Sequence, residues 1–385
     1  MFYTHDAIVV GGRVAGAATG MLLARAGLDV LVVDRARYGS DTFSTHAFMR
    51  AGVLQLSKWG LLGEIVDAGT PAVRRTTVRY GRDEEVIDIK PIPGCEALYA
   101  PRRWLLDRVL IDAAANAGAD VRMGTGVVHL LRRDDGSVHG IEVRDHTGLR
   151  YSASAPITIG ADGAKSLVAK SVAAPTYRQG DHAAAFIGSW FSGVESDGYQ
   201  WLYNLGGSAG IIPTNDGQVS AWVAMPSTRF PVARQLPNKG FWPTFDHVAP
   251  DWAERLRSGV QHGPFRAFPG IPSYLRQPYG PGWALVGDAG YFKDPITAHG
   301  MTDALRDAEL LANAVVRGLG SGRLVEEFED YRTTRDRLSL DLVALADRVA
   351  SFDWDLDELR ELLPDMSTAM RPEIAHLSEL APATT

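Results

Sequence analysis

Cysteine is nearly absent from this chain, and lysine is scarce. Cys95 is the only cysteine in 385 residues, which excludes an intramolecular disulfide, a thiolate zinc site and a cysteine redox pair. This composition is typical of proteins that reside in a reducing cytoplasm. A mechanism that needs a lysine has only six candidates, namely Lys58, Lys90, Lys165, Lys170, Lys239 and Lys293.

Long apolar runs and an excess of basic charge are also missing. No uninterrupted hydrophobic stretch approaches the roughly 18–20 residues of a membrane span, and residues 1–10 lack the basic segment of a signal peptide. The formal net charge is −7, which argues against a nucleic-acid-binding face. We therefore expect a cytoplasmic protein with no membrane span and no nucleic-acid partner. Its length fits two closely joined domains.

The N-terminus has the pattern of a βαβ unit with a glycine-rich turn. The turn reads Gly11-Gly12-Arg13-Val14-Ala15-Gly16 and lies between an apolar strand at Ala7–Val10 and a helix at Val14–Ala26. In the dinucleotide fingerprint G-x-G-x-x-G, glycines allow a tight turn and close helix packing, and the helix N-terminus offers N–H groups to a pyrophosphate. Arg13 replaces the middle glycine, so either Gly12 allows the close approach or the Arg13 side chain contacts phosphate.

The next predicted strand, Asp29–Val33, leads directly into an acidic residue. This residue is Asp34, 23 positions after Gly11. An acidic side chain at this place accepts hydrogen bonds from the ribose of adenosine. The turn and Asp34 together predict an adenine dinucleotide site, and by themselves they do not separate FAD from NAD.

A second strand–loop–helix pattern lies far along the chain. An apolar strand at Trp283–Val286 runs into Gly287-Asp288-Ala289-Gly290, and a helical region is expected from Thr302 to about Ala350. Asp288 is placed to bond a ribityl chain, unless this is an ordinary loop with an aspartate cap. The backbone around Ala298–Met301 would face a flavin ring, where a helix dipole stabilises negative charge on the reduced flavin. The cofactor contacts predicted in this loop are Gly287, Asp288, Pro295, Ala298, Gly300 and Met301.

Between these two motifs lies a third, Gly160-Ala161-Asp162-Gly163-Ala164-Lys165-Ser166, which also follows an apolar strand. In this order the motifs resemble the FAD-dependent monooxygenase superfamily, which includes aromatic hydroxylases, geranylgeranyl reductase-type enzymes and flavin halogenases. The resemblance covers most of residues 5–315 and is weakest over 176–275.

The resemblance implies an α/β fold: a doubly wound, Rossmann-like FAD-binding domain, an inserted antiparallel-sheet substrate domain and a helical C-terminus. The bounds that we expect for the FAD-binding domain are 1–73, 101–175 and 276–330. The substrate domain would comprise 74–100 and 176–275, and the C-terminal helices 331–385. Within them, the residue pattern predicts an antiparallel sheet over 183–225, a short helix over 355–371 and a loose tail after it.

The resemblance also implies further FAD contacts. Arg103, three residues before Leu106-Asp107-Arg108-Val109-Leu110, matches an arginine that reaches the FAD in the family. The other positions expected to contact the cofactor are Arg35, Thr45, Val127, Asp162 and Gly163. Ala169 stands where the Asp-Gly motif of the family usually ends in arginine, which puts a pyridine-nucleotide contact there in doubt. NADPH or NADH would then bind transiently, or a partner reductase would supply electrons.

Three roles of the flavin remain open: monooxygenation, reduction of a double bond, and a structural or redox-neutral role. We expect a monooxygenase whose substrates are O₂ and a sizeable aromatic or polyketide-like molecule of specialised metabolism. Residues 208–213 (SAGIIP) have small side chains where halogenases carry tryptophans, and the aromatic signature of the geranylgeranyl reductases is missing. A reductase of carbon–carbon double bonds remains the alternative, followed by a flavoprotein whose FAD is structural or serves a redox-neutral reaction. We expect no metal, and the candidate catalytic side chains are His46, Tyr291, Lys293 and His299.

Overall fold

The computed structural model describes residues 4–233 and 237–379 as a mixed α/β structure with parallel and antiparallel sheets. The strands are β1 (Ala7–Val10), β2 (Val30–Asp34), β3 (Arg75–Tyr80), β4 (Asp83–Asp88), β5 (Asp120–Met123), β6 (Gly126–Arg132), β7 (Val138–Arg144), β8 (Arg150–Ser154), β9 (Ile157–Gly160), β10 (Thr176–Gln179), β11 (Ala184–Ser192), β12 (Tyr199–Asn204), β13 (Gly207–Pro213), β14 (Gln218–Pro226), β15 (Val260–Phe268), β16 (Tyr274–Arg276), β17 (Tyr279–Gly280), β18 (Trp283–Leu285) and β19 (Tyr291–Phe292).

Helices follow most of the strand groups. They are α1 (Val14–Arg25), α2 (Arg50–Lys58), α3 (Leu62–Asp67), α4 (Arg103–Asn116), α5 (Leu167–Ser171), α6 (Phe230–Ala233), α7 (Pro237–Val248), α8 (Pro250–Ser258), α9 (Gly300–Ser321), α10 (Leu324–Ala350), α11 (Leu356–Ala369) and α12 (Arg371–Glu379). Within the described ranges, none of these helices combines the length and the apolar character that crossing a membrane requires.

A six-stranded sheet in the order β17-β18-β9-β1-β2-β5 carries the N-terminal motif. Every residue of β1, β2 and β9 is buried, because the sheet is covered on both faces. Val9 and Val32 pack on the side of α1, α4 and α9, whereas Ile8 and Leu31 pack against the small sheet β6-β7-β8. The carboxyl ends of β1, β9 and β18 therefore lie side by side, and so do the loops that follow them.

The second large sheet has seven strands in the order β15-β11-β14-β13-β12-β3-β4. Its strands are antiparallel, except that β12 pairs in parallel with β3. The antiparallel sheet expected over residues 183–225 is confirmed by β11–β14. Residues 226–275, which show little periodicity in sequence, contain α7, α8 and β15; residues 234–236 lie outside the described part. Phe241 and Phe245 of α7 are fully buried against the sheet, so tertiary packing stabilises this helix.

The C-terminal part from α9 onward is helical, as predicted, but it does not end where the sequence suggests. The sequence predicts a loose tail after residue 371, and this is wrong for the described residues, because α12 continues to Glu379. Leu377 is fully buried against Ala51 and Leu54 of α2. This contact, which joins positions more than 300 residues apart, fixes the helix. Residues 380–385 and 1–3 lie outside the described part.

Candidate functional site

The glycine-rich turn brings β1, α1 and the loop after β9 into close contact. Gly11 has φ of +106°, and a Cβ on it would lie 2.4 Å from the carbonyl oxygen of Ala161. A Cβ on Gly16 would lie 1.7 Å from the carbonyl oxygen of Gly11. Both positions therefore require glycine. Helix α1 begins after Arg13 with no side-chain cap, so its first N–H groups, at Val14, Ala15 and Gly16, are available to an anion.

Asp34 closes this turn from the end of β2. Its Oδ2 accepts a hydrogen bond from the Gly12 N–H at 2.7 Å, and its Oδ1 accepts one from the Ala36 N–H at 2.6 Å. An ionised carboxylate has about four acceptor positions, so capacity remains for ribose hydroxyl groups. The residue is 9% exposed. We refer to the space beside Asp34, the glycine-rich turn and the start of α1 as the cleft. Asp34 thus shapes the turn and still fits the predicted ribose-binding role.

Two arginines converge on Asp107 beside the turn. Arg103, the first residue of α4, forms a bidentate pair with this buried carboxylate through Nε at 2.9 Å and Nη2 at 3.0 Å. Arg13 Nη1 lies 3.6 Å from Asp107 Oδ2, and Arg13 Nη2 donates to Ser40 Oγ. Burial raises the pKa of Asp107, and the two guanidinium groups oppose that shift. Both arginines are thereby held at the cleft, which suits contacts with pyrophosphate.

The remaining predicted contacts of the N-terminal half lie in different surroundings. Arg35 is exposed next to Gly126, Thr45 is half-buried before α2, and Val127 is half-buried in β6. Asp162 instead caps α5, because its Oδ2 accepts from the N–H groups of Leu167 and Val168.

The Gly-Asp motif lies against the glycine-rich turn, although 270 residues separate them in sequence. Gly287 has φ of +58°, and a Cβ on it would lie 2.8 Å from the Cβ of Ala15. Asp288 follows, half-buried in the cleft. Burial raises the pKa of Asp288 to about 7, the charge of Asp303 adds to this effect, and Arg103 opposes it. A neutral carboxyl group at this position can donate a hydrogen bond to a sugar-like hydroxyl as well as accept one.

The loop between β19 and α9 is tightly held at its start and open at its end. Asp294 is fully buried and accepts hydrogen bonds from the N–H groups of Ala184 and Ile296, at 2.7 and 2.9 Å, which ties the loop to the seven-stranded sheet. Pro295–Thr297 form a short 3₁₀ helix, and Ala298 adopts φ of +48°. Gly300 and Met301 then begin α9, which has no side-chain cap. A Cβ on Gly300 would meet no atom within 4 Å, so the helix start faces open space.

Three of the candidate catalytic side chains meet in one buried charged cluster, which we define as Tyr291, Lys293, His299, Asp303, Arg306, Asp307 and Glu373. Lys293 Nζ lies 2.8 Å from Asp303 Oδ2. Arg306, 1% exposed, pairs with Asp303 at 3.1 Å, with Asp307 at 2.6 Å and with Glu373 at 3.4 Å. Burial lowers the pKa of Lys293, whereas the charge of Asp303 opposes that shift.

The charged cluster contains a group of possible metal ligands. Atoms of His299, Asp303 and Glu373 lie within 4.8 Å of one another. Lys293 and Arg306 already contact the carboxylates of Asp303 and Glu373, so these side chains supply the positive charge that a metal ion would otherwise supply. We interpret the group as an ion-pair network.

His46, the fourth candidate, lies apart from the charged cluster. Trp190 Nε1 donates a hydrogen bond to His46 Nε2 at 2.9 Å, and His46 Nδ1 lies 3.2 Å from Ser44 Oγ. The ring is fully buried, and burial together with Arg102 and Arg103 lowers its pKa well below 6.5, so it is neutral. Since both nitrogens are engaged, we expect His46 to position Trp190 rather than to exchange a proton with a substrate.

A cavity of about 530 Å³ lies between the seven-stranded sheet and the C-terminal helices. Most of its walls are apolar or aromatic side chains, including Val78, Tyr199, Trp201, Tyr203, Met366 and Met370. Thr297 and His299 contribute the wall on the side of the loop before α9. Of the four candidate catalytic residues, His299 alone lines this cavity within the described chain.

Sequence reasoning missed several residues of the charged cluster and the cavity. Asp303 and Arg306, in the first two turns of α9, follow the predicted His299 at i+4 and i+7, a spacing that could have revealed their proximity. Glu373 carries no local signal, since it arrives from the far end of the chain on α12.

Comparison with known proteins agrees with this geometry. The family model described as "FAD binding domain" matches residues 4–343. The chain belongs to the FAD binding domain family. FAD is therefore its cofactor, and the protein is an FAD-dependent enzyme, as the sequence motifs predict. The uncapped start of α1, the acceptors of Asp34 and the open start of α9 all fit this cofactor.

Several known proteins are similar over nearly the whole chain. "Digeranylgeranylglycerophospholipid reductase 1" of Methanococcoides burtonii is 23% identical over 94% of this chain and 88% of its own length. "Squalene epoxidase 2, mitochondrial" of Arabidopsis thaliana is 25% identical over 92% of this chain and 63% of its own length. The structure of PqsL of Pseudomonas aeruginosa, described as a probable FAD-dependent monooxygenase, matches with a TM-score of 0.79 at 19% identity, covering 94% and 99% of the two chains. This structural match supports the fold alone.

Proposed function

We propose that this enzyme is a monooxygenase that inserts oxygen from O₂ into a sizeable aromatic or polyketide-like molecule of specialised metabolism. The observation that carries the proposal is the position of the cavity. The loop that leads into α9 forms one of its walls, and the same loop contains the predicted flavin contacts. A substrate in the cavity would therefore lie beside the segment at which the flavin ring is expected to bind.

The protein side chains would position the substrate and exclude water. When bound, FAD supplies the redox chemistry with O₂. Trp201 and Tyr203 offer flat apolar surfaces to a ring system, and α11 and α12 cover the opposite side of the cavity. A site closed to water strengthens the electrostatic effect of the α9 N-terminus and protects reactive species from hydrolysis. In this proposal the seven-stranded sheet, from residues 74–100 and 176–275, is the substrate domain.

The source of electrons follows from the Asp-Gly motif. Asp162 is engaged in capping α5, and Ala169 is buried where the family usually has arginine. Neither is placed to hold a nicotinamide nucleotide. We therefore propose that NADPH or NADH binds only transiently at the surface, or that a partner reductase delivers the electrons, in a cytoplasmic setting.

A reductase of carbon–carbon double bonds is the second candidate. A similarity of 23% to a digeranylgeranylglycerophospholipid reductase favours it, and an apolar cavity also accommodates a prenyl chain. Halogenation is disfavoured, because β13 carries small residues at the tryptophan positions. One of these, Gly210, leaves no room for a side chain, since a Cβ would lie 2.3 Å from the ring of Trp222.

Isotope labelling distinguishes the two candidates. The FAD-loaded enzyme is reduced anaerobically with NADPH, with NADH or with dithionite, and is then mixed with ¹⁸O₂ and a panel of polycyclic phenols and prenyl compounds. We expect one ¹⁸O atom in the product. Turnover without O₂, with a product that has gained two hydrogens, would identify a reductase and reject the monooxygenase.

A further inference from the structure

Two arginines belong to the mainly apolar wall of the cavity. They are Arg50, which is half-buried, and Arg371, which is exposed. Within residues 4–233 and 237–379, neither guanidinium group forms an ion pair with a carboxylate. Arginine is always charged in proteins. The wall of the cavity therefore carries positive charge for which the described chain supplies no direct counter-ion.

The acidic residues of the same wall do not pair with these arginines. Glu373 is held by Arg306 at 3.4 Å and by His299 at 2.8 Å. Glu85, on the edge strand β4, is exposed and forms no ion pair with either arginine in the described part of the chain. A counter-ion for the two guanidinium groups must therefore come from solvent or from a ligand.

The position of both arginines at helix starts adds to this positive charge. Arg50 is the first residue of α2, and Arg371 is the first residue of α12. The start of a helix favours acidic residues, because its free N–H groups carry partial positive charge, whereas arginine is favoured at the opposite end. The first turn of α2 contains no acidic residue, and the first turn of α12 contains only Glu373. A local rule that is broken twice in one wall is typical of a functional site.

The guanidinium group of Arg50 is oriented and still has donors to offer. Its Nη2 donates a hydrogen bond to the carbonyl oxygen of Lys90 at 2.9 Å. This bond engages one of five N–H donors, so four remain. The planar fork of arginine matches two oxygens of a carboxylate or a phosphate. The rest of the wall, with Trp201 and Tyr203, suits a ring system.

We propose that the cavity binds an acidic ring compound, whose carboxylate or phosphate group is held by Arg50 and Arg371 while its ring lies on the apolar wall. The inference rests on the proposed function, since it names the substrate class of the same cavity. A neutral ring compound would leave both guanidinium groups without a counter-ion. The two arginines thus determine specificity for the charged compound.

Binding of matched ligands to the oxidised, FAD-loaded enzyme tests this without any turnover, and the bound FAD occupies the phosphate-binding turn. The probes are 2-naphthoate, 2-naphthyl phosphate and 2-naphthamide, which is a neutral compound of the same shape as 2-naphthoate. Calorimetry should show that one of the two anions binds at least about tenfold more tightly than the amide, the scale of a hydrogen bond to a charged group. The tighter of the two anions identifies the acidic group as a carboxylate or a phosphate. Binding of both anions no tighter than that of the amide, or no saturable binding of either anion, would overturn the proposal.

Variants then assign the contact to the two arginines. Arg50→Gln and Arg371→Gln should each reduce the anion/amide ratio to about threefold or less, and the double variant should bring it near one. Arg82→Gln is the matched control, because Arg82 is also exposed on the same sheet but does not line the cavity, and it should keep the wild-type ratio. A folding defect would weaken the amide as well as the anion, whereas loss of the anion contact changes the ratio. An unchanged ratio in the double variant would overturn the assignment.

The two proposals fail separately. Discrimination between anion and amide with no ¹⁸O incorporation would leave the ligand class standing and reject oxygen insertion. Incorporation of ¹⁸O without discrimination would reject the ligand class and leave the chemistry standing.

Discussion

Removal of the Asp34 carboxylate should weaken both the fold and the binding of FAD. In Asp34→Ala, the N–H groups of Gly12 and Ala36 lose acceptors at 2.7 and 2.6 Å. A hydrogen bond to a charged group contributes about 1.5–3 kcal/mol, and water at the cleft rim replaces part of it. We therefore expect the free energy of unfolding of the FAD-free protein to fall by about 2–4 kcal/mol. Loss of the ribose contacts should weaken FAD binding by a further 1–3 kcal/mol, roughly 5- to 150-fold.

Urea unfolding of the FAD-free protein and titration with FAD followed by flavin fluorescence measure the two effects separately. Asp29→Ala is the matched control, because this carboxylate lies just before the same strand, is 62% exposed and makes only a surface contact with His5, which contributes little. It should change the stability by no more than about 0.5 kcal/mol and leave FAD binding unaffected. Wild-type FAD affinity in Asp34→Ala would show that the adenosine end of the cofactor binds elsewhere.

Three further substitutions test other parts of the site. Gly16→Val should abolish FAD binding, because a Cβ would lie 1.7 Å from the carbonyl oxygen of Gly11. FAD retention on gel filtration checks this, with Gly63→Ala, where a Cβ meets no atom within 4 Å, as the control for cofactor loss. Trp190→Phe should lower the free energy of unfolding by about 1–3 kcal/mol, since it leaves the His46 acceptor buried and unpaired, and an unchanged urea midpoint would contradict this. Burial raises the pKa of Asp288 to about 7, because the folded protein favours the protonated carboxyl group. In the FAD-free protein the stability that depends on this group is therefore fully present below about pH 4 and is lost as the pH rises through 7. Asp288→Asn should therefore gain about 1 kcal/mol or more relative to the wild type between pH 5 and pH 8, and parallel pH profiles in urea would reject the shifted pKa.

The charged cluster links the loop before α9 to helix α12. Arg306 and Glu373 are each 1% exposed, so removing either partner would leave an uncompensated buried charge. Because Glu373 lies on α12 and contacts His299, the helices that close the cavity are linked to the loop that precedes α9. Access to the cavity and the orientation of His299 are thus set by the same contacts.

Much of the cofactor site could be predicted from the sequence, because its signals are local. The tight turn at Gly11 needs a positive φ, the close packing at Gly16 excludes a side chain, and Asp34 must follow the second buried strand. Each of these requirements restricts the residue type at one position, whatever the rest of the chain does. For the same reason the Gly287-Asp288 motif was recognisable, and with it the family and FAD.

The candidate catalytic side chains were harder to assign, because their roles depend on partners distant in sequence. His46 lies in the expected segment, but the indole of Trp190, 144 residues away, engages one ring nitrogen. Tyr291, Lys293 and His299 are close in sequence, yet only His299 reaches the cavity, since the charged cluster holds Lys293 on Asp303. The local sequence pattern does not predict the pairing of His46 with Trp190 or of Lys293 with Asp303.

By itself the sequence determined that this chain forms a βαβ unit and binds FAD, and it predicted a second cofactor loop at Gly287-Asp288. These follow from backbone conformations that only glycine tolerates and from the fixed spacing of strands and helices. The tertiary structure alone decided where the cavity lies, that residues 371–379 form a helix, and that Glu373 pairs with His299. Those features arise from side chains brought together across the whole chain, where burial and charge pairing, rather than local propensity, set the free energy.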